Sequence, residues 1–475
     1  MAIVATLILL PLQLLCFAVI LIVYGIFLYL GAKDEYAKIV EAISGAALAL
    51  CLLSIVLNLI LPGLRFRRFL VASLHGVTMV LMVAVAATTR QGISCPVTVT
   101  TPLGSGLASD QAPGPPDNGL ENLGKDERQR AFKIMGFVAH AYVWGNGEVE
   151  VLRQLPSQLA IPLHRLGEEF GMTPLATYAT TVLWNCSLND PDGGWVPENV
   201  DVDLTFTGTH DEKRFYAVSA CIEATGAKVL NYLVWAASLV RARINVDDTH
   251  QVMIKSSLAR AGESMRKLVY LLTRVFTMDS EHFYWRMRPY FAGWALVEAD
   301  TDRPGGVHYS GVDRPGETTS HAGISAAQST LFQCIDKLLG IEHEARQDLL
   351  LRGARMHMPR NHRCVLQLVE IAHGSILKWY VDQHPDLAGD FDNIREELVR
   401  FRAVHLRAAS KYAVTEASRQ GKQAFGLAKS AHKGGTAVGA GGSQLEPLLT
   451  SLVHSTRCQK REGPRPRMRS TTWHS

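Results

Sequence analysis

Residues 3–31 contain no charged side chain and consist mainly of Leu, Ile, Val and Phe. At about 1.5 Å of rise per residue, a helix of that length crosses the roughly 30 Å hydrocarbon core of a bilayer with room to tilt. Two more uncharged runs follow, residues 42–64 and 69–89, the last holding His75. The pattern predicts about three transmembrane helices within residues 1–90. A secretory signal peptide fits less well, because no basic stretch precedes the first run and no small-residue cleavage site follows it. Lys33 and Lys38 lie between the first two runs, Arg65, Arg67 and Arg68 between the second and third, and Arg90 just after the third. These charges balance across the two faces and do not fix an orientation. The expectation is a membrane-anchored chain whose remaining domain is cytosolic.

The rest of the chain has a different character. Residues 91–124, with the stretch QAPGPPDNG, read as a disordered linker. From 125 to 457 the apolar spacing is helical almost throughout. Helices are expected over 127–142, 175–187, 212–243, 249–275, 324–340 and 392–417, with a last amphipathic helix after the glycine-rich stretch 433–443. The best strand-like exception is VDVDLTF, 200–206. Residues 458–475 read as a basic disordered tail, with Lys460, Arg461, Arg465, Arg467 and Arg469 against Glu462. The formal net charge of +4 is too small for a nucleic-acid binder. The eight cysteines are scattered, without a Cys-x-x-Cys pair. That excludes a zinc ribbon or a disulfide scaffold and predicts buried free thiols in a reducing compartment.

One helix carries candidate chemistry. In 392–417, Ile394, Leu398, Phe401, His405, Ala408 and Tyr412 fall at steps of four and three and form one apolar stripe. Arg395, Glu396, Arg400 and Arg407 face elsewhere. A histidine inside an apolar stripe needs partners for its ring nitrogens. A carbonyl or hydroxyl is the plain answer and a metal the sharper one; spacing leaves both open. No second ligand cluster accompanies His405, so a metal there fits a single axial bond to a porphyrin better than a closed protein cage.

VRFRAVHLRAASKYAV, 399–414, resembles the proximal-ligand helix of the indoleamine 2,3-dioxygenase family. AYVWG (141–145), LPSQLAIPLHRLGEEFGMTPLATYATTVLWN (155–185), RFYAVSACIEATGAKVL (214–230), HFYWRMRPYFAGW (282–294), GISAAQSTLFQCIDKLLGI (323–341), MPRNHRCVLQL (358–368) and GAGGSQLEPLLTSLVHSTR (439–457) are similar to other blocks of that family, in the same order. The resemblance covers about residues 125–457. It implies an all-α fold: a large helical haem-binding domain behind the transmembrane region. It also implies haem b as cofactor and His405 as the proximal iron ligand. The implied reaction cleaves the indole C2–C3 bond of L-tryptophan, or a related indole, with O2. Both oxygen atoms end in N-formylkynurenine, and an electron donor keeps the haem ferrous.

The same resemblance assigns site residues. Phe283, Tyr284, Phe215 and Tyr178 match the aromatic lining, Ser219 the distal serine, and Arg288 the arginine that takes the substrate carboxylate. A guanidinium forks onto a carboxylate and fixes an amino acid's orientation. Arg288 follows Phe283 and Tyr284 by four to five residues, so one helix is expected to present all three to one cavity; Arg286 is the better candidate for a surface ion pair. Ser325 and Ala326 match the segment at the haem edge, and Asp336 and Arg402 a pair bridging near the proximal side. Gly439, Ala440, Gly441 and Gly442 match a mobile lid.

Three departures stand out. The family's small N-terminal helical domain is replaced by the apolar runs and the linker. Ala440 stands where the family has threonine, which predicts altered tryptophan binding. Ile324 stands where it has glycine, beside the expected haem edge. Two other readings stay open at this point: a haem-binding oxygen carrier or sensor without turnover, and an interaction module without haem.

Overall fold

The helical period of the sequence has a physical consequence that the computed structural model displays directly: long amphipathic helices that bury one face against each other. The structure describes residues 120–145, 151–242, 248–298, 305–418, 426–429, 439 and 444–458. The three apolar runs, the linker up to residue 119, most of the stretch 433–443 and the tail beyond Cys458 lie outside the described residues. Among the described residues no helix is long and apolar enough to cross a membrane.

The elements run in this order. Helix α1 is Lys125–Trp144, strand β1 Gln154–Leu155 and helix α2 Ser157–Phe170; strands β2, Cys186–Leu188, and β3, Val200–Val202, follow. Then come α3, His210–Arg241; α4, Asp248–Thr273; and strand β4, His308–Tyr309. The sequence continues with α5, Thr330–Leu338; α6, Ala345–Ala354; α7, Arg360–Ala372; and α8, Ile376–Gln383. The last two are α9, Ala388–Ala409, and α10, Leu445–Cys458. All-α is thus accurate as a class, with two small sheets at the margin. β2 and β3 pair antiparallel with Cys186 opposite Val202, and β1 pairs parallel with β4. In the alternating stretch Val200, Val202 and Leu204 are buried, as period two demands, and Thr205 at its end is buried too.

The core is a helix stack. α3 lies along α4, α4 along α9, and α9 along α10. Ile254, Leu258, Ala261, Met265 and Leu268 recur at steps of four and three on α4 and are all fully buried. Val229, Leu233 and Ala237 of α3 and Ile394 and Leu398 of α9 are buried as well, and both helices pack on α4. α3 also packs on α5. There Gly226 allows the close approach, since a Cβ at that position would stand 2.1 Å from Leu331 Cδ2.

The N-terminus of α3 is held by Glu212, fully buried. Its carboxylate accepts the Phe206 and Thr207 N–H groups at 2.8 and 2.6 Å and the Tyr216 hydroxyl at 3.0 Å. Burial raises its pKa, and these donors offset part of the rise.

Two expectations need correction. Residues 175–187 do not form an α-helix: a π-helical turn, Ala179–Leu183, leads into β2. Asn185 ends that turn with its side chain bonded to Leu204 on both sides, which draws the chain into the sheet. Nor are all described thiols buried: Cys186, Cys221 and Cys334 are, whereas Cys364 is exposed.

Candidate active site

Helix α9 sets His405 in a wall. Ile394, Leu398, Phe401, Ala408 and Tyr412 of its stripe are buried, while His405 is half-buried. No described residue forms a hydrogen bond or ion pair with its imidazole. Burial pushes its pKa down, with a smaller push from the Arg402 charge, so the ring is neutral. A neutral, half-buried imidazole without a partner is an available ligand rather than a satisfied core histidine. Among the described residues no group of three or more His, Cys, Asp or Glu side chains could hold a metal ion.

One turn before His405, Arg402 is locked. Its Nη2 meets both oxygens of Asp336 at 2.7 Å, and another nitrogen donates to Thr456 Oγ1 of α10. His343 Nε2 lies 2.8 Å from the same carboxylate. Burial alone would raise the Asp336 pKa, but Arg402 and His343 outweigh it and hold the carboxyl below its ordinary value. Helix α9 is therefore tied to α5 by an ion pair, whose carboxylate His343 also holds, and to α10 by a hydrogen bond.

Opposite elements carry a second set. On α3, Phe215, Ser219 and Glu223 are half-buried, whereas Tyr216, Ala217, Val218, Ala220 and Cys221 are buried. Phe215, Ser219 and Glu223 thus form a half-open stripe at spacing four on one face of α3. Ser219 Oγ donates to the Phe215 carbonyl at 2.9 Å. The Phe215 ring lies 5.4 Å from Phe283 and 5.7 Å from Phe291, and Phe283 stands edge-on to Tyr412 at 5.5 Å. Phe283 thus joins the α3 stripe to the segment that follows His405. Tyr178 reaches the same stripe, donating its hydroxyl to Glu223 at 3.1 Å. Its N–H donates to Gln328 Oε1 at 2.9 Å. Ser325 is half-buried and Ala326 exposed, in a short 3-10 turn that Gln328 fastens through Gly323 O at 2.7 Å. Ile324 is buried, its N–H bonded to Phe291 O.

Tyr284 and Arg288 form a separate group. Residues 283–287 make a π-helical turn, and Pro289 then forces a 3-10 turn over Arg288–Phe291, so the expected single helix is not there. Adjacent side chains on such a turn face different ways: Phe283 joins Phe215, whereas Tyr284 is fully buried under the segment Gly426–Lys429. Tyr284 donates to Ala428 O at 3.2 Å. Arg288, also buried, donates to Leu427 O at 2.8 Å, with its guanidinium 5.0 Å above the Tyr284 ring. Burial draws its pKa down to about 10, partly countered by Tyr284. Gly426 lets the segment come so close: its φ is +52°, and a Cβ would lie 2.4 Å from Pro289 O. Arg286 is exposed. Of the lid positions only Gly439 is described; Ala440, Gly441 and Gly442 lie outside the described residues.

Sequence reasoning did not single out Glu223, Gln328 or the 426–429 segment. Glu223 carried a usable signal, since it lies one turn past Ser219 on the same face. The other two act through backbone contacts that no side-chain spacing announces.

The comparisons with known proteins agree with this layout. The sequence profile of indoleamine 2,3-dioxygenase matches residues 118–459. Indoleamine 2,3-dioxygenase 1 of Mus musculus is 31% identical over 288 residues, covering 59% of this chain and 68% of the mouse protein. The Saccharomyces cerevisiae indoleamine 2,3-dioxygenase is 29% identical over 362 residues, 70% of this chain and 78% of its own. A 6-hydroxytryptophan 2,3-dioxygenase of Fusarium equiseti is 27% identical over 333 residues, 68% of this chain and 79% of its own. The profile extends over the helix of His405 and every helix packed against it, and the chain belongs to the indoleamine 2,3-dioxygenase family.

Proposed function

We propose that the protein is a haem-dependent dioxygenase that cleaves the indole C2–C3 bond of L-tryptophan, or a close indole relative, with O2 to give N-formylkynurenine. The observation that carries the haem part is the half-buried His405 imidazole with no partner among the described residues. His405 would hold the iron, Arg402 and Asp336 would fix the ligand helix, and the Ser325–Ala326 turn would lie at the porphyrin edge. Haem supplies the redox chemistry with dioxygen, and an external electron donor keeps the iron ferrous.

The chain's own contribution is binding and orientation. Phe215, Phe283 and Tyr178 offer aromatic surface for a flat indole. Ser219, whose proton goes to the Phe215 carbonyl, keeps oxygen lone pairs that accept from a substrate N–H. Arg288 is a buried cation held by a carbonyl and a ring, a setting in which a substrate carboxylate is a strong partner.

The test uses the full chain loaded with haem and supplied with reductant, oxygen and L-tryptophan. A Soret band and the absorbance of a formylkynurenine product are expected. Absence of the band refutes the haem assignment. Haem without product from any indole tested reassigns the chain to oxygen carriage or sensing.

A further inference from the structure

Glu223 lies four residues past Ser219 and eight past Phe215 on the half-open face of α3. Its Oε1 accepts two hydroxyl groups, the Tyr178 phenol at 3.1 Å and Ser329 Oγ at 2.6 Å. The donors come from different parts of the chain. Tyr178 stands at the head of the π-helical turn Ala179–Leu183. Ser329 caps α5 directly after the Ser325–Gln328 turn. The Tyr178 N–H in turn donates to Gln328 Oε1 at 2.9 Å. One carboxylate oxygen therefore closes a ring of bonds through three segments, each carrying a residue assigned to the site. Hydrogen bonds onto a charged acceptor are shorter and about twice as strong as neutral ones.

From this geometry we infer that Glu223 is a positioning residue for ring opening. Its carboxylate sets the Tyr178 ring and the Ser325–Ser329 segment against Phe215 and Ser219, and through them the orientation of the indole. The inference rests on the dioxygenase reading of the site. Apolar burial between Phe215, Phe283 and Tyr178 tolerates a small rotation of the walls, so affinity survives loss of the carboxylate. Alignment of the reacting carbons does not tolerate it, because rate falls steeply when a bound substrate leaves its near-attack geometry. The consequence is a change in kcat rather than in KM.

The experiment compares E223A, E223Q, Y178F and the double variant Y178F/E223A in the haem-loaded full chain. E223A lowers kcat about tenfold, the scale expected for one lost charge-assisted bond, while KM for L-tryptophan changes less than about threefold. E223Q recovers most of the loss, because its amide oxygen accepts from both hydroxyls. The double variant is no slower than the slower single variant, since both single changes break the same bond. A readout without haem accompanies these: amide exchange at Tyr178 and Ser325–Ser329 is faster in E223A and normal in E223Q. Wild-type kcat in E223A, an E223Q as slow as E223A, or additive losses in the double variant each overturn the inference. A wild-type chain with no turnover sinks the dioxygenase reading and this role with it. The exchange data then still report whether Glu223 ties the three segments together.

Discussion

Replacing Asp336 by alanine removes one side of an ion pair that the interior of the domain cannot replace. Asp336 and Arg402 are 4% and 8% exposed, and both carboxylate oxygens are taken by Arg402 at 2.7 Å. In D336A the guanidinium remains enclosed with Thr456 as a neutral partner, and the imidazole of His343 loses its bond to the carboxylate. Breaking one side of a buried pair costs about 3–5 kcal/mol, a large part of the roughly 5–15 kcal/mol that holds a typical domain folded. The assay is urea unfolding followed by tryptophan fluorescence, reading the midpoint at unchanged slope. E263A is the control. Its pair with Lys267 is about 61–63% exposed, so its loss leaves the midpoint unchanged. The double variant D336L/R402M, which removes both charges, recovers most of the deficit. The depressed pKa of Asp336 fixes the pH dependence. The stabilisation is complete above the unfolded carboxyl value of about 3.9 and disappears as pH falls through the lower folded value. The gap between wild type and D336A is therefore full at pH 7 and at pH 5 and closes only in stronger acid. A D336A midpoint within about 1 kcal/mol of wild type at pH 7 refutes the reasoning.

Three further outcomes are expected. H405A, purified with added haem, lacks a Soret band while its far-ultraviolet circular dichroism matches wild type, because the ring makes no hydrogen bond or ion pair that the fold needs; retained haem would remove His405 from its role. R288A raises KM for L-tryptophan about tenfold or more and leaves KM for a carboxylate-free indole unchanged, whereas exposed Arg286 is replaceable by alanine without effect on either. G426A places a Cβ 2.4 Å from Pro289 O at a φ of +52°, costing about 1–2 kcal/mol of backbone energy apart from the clash; amide exchange at Leu427 and Ala428 rises, and unchanged exchange would show that the segment is not held by that approach.

The long helices were legible because burial on one face imposes its period on the sequence. α3 was expected over 212–243 and runs His210–Arg241; α4 was expected over 249–275 and runs Asp248–Thr273 before a 3-10 turn. The stripe that contains His405 was readable for the same reason, and the structure adds what spacing lacks, that the ring has no hydrogen-bond or ionic partner among the described residues. The surroundings of Arg288 were not readable. Its partners are the carbonyl of Leu427, 139 residues away, and the ring face of Tyr284. Neither a carbonyl nor a ring face leaves a signature in residue type at a fixed spacing. Glu223 falls between these cases: its position on the face of Ser219 was visible, its two hydroxyl donors were not.

Helical spacing misled at 324–340, where a 3-10 turn, Ala326–Gln328, precedes α5, and at two stretches that carry π-helical turns. Three π-helical turns occur among the described residues, Ala179–Leu183, Phe283–Met287 and Ser410–Val414. One follows Tyr178, one begins at Phe283, and one begins five residues after His405. A π turn inserts a residue into the α ladder and is less favourable locally, so tertiary contacts must hold it. Here each turn is tied by a tyrosine hydroxyl to a distant acceptor. Tyr178 donates to Glu223 at 3.1 Å and Tyr284 to Ala428 O at 3.2 Å; Tyr412 donates to Val275 O at 2.7 Å and to Met278 O at 3.1 Å. Phe283 and Tyr284, adjacent on one such turn, serve two groups. The irregular turns thus rest on contacts distant in sequence, which hold Phe283 between Phe215 and Tyr412 while Arg288 stays fastened to the 426–429 segment.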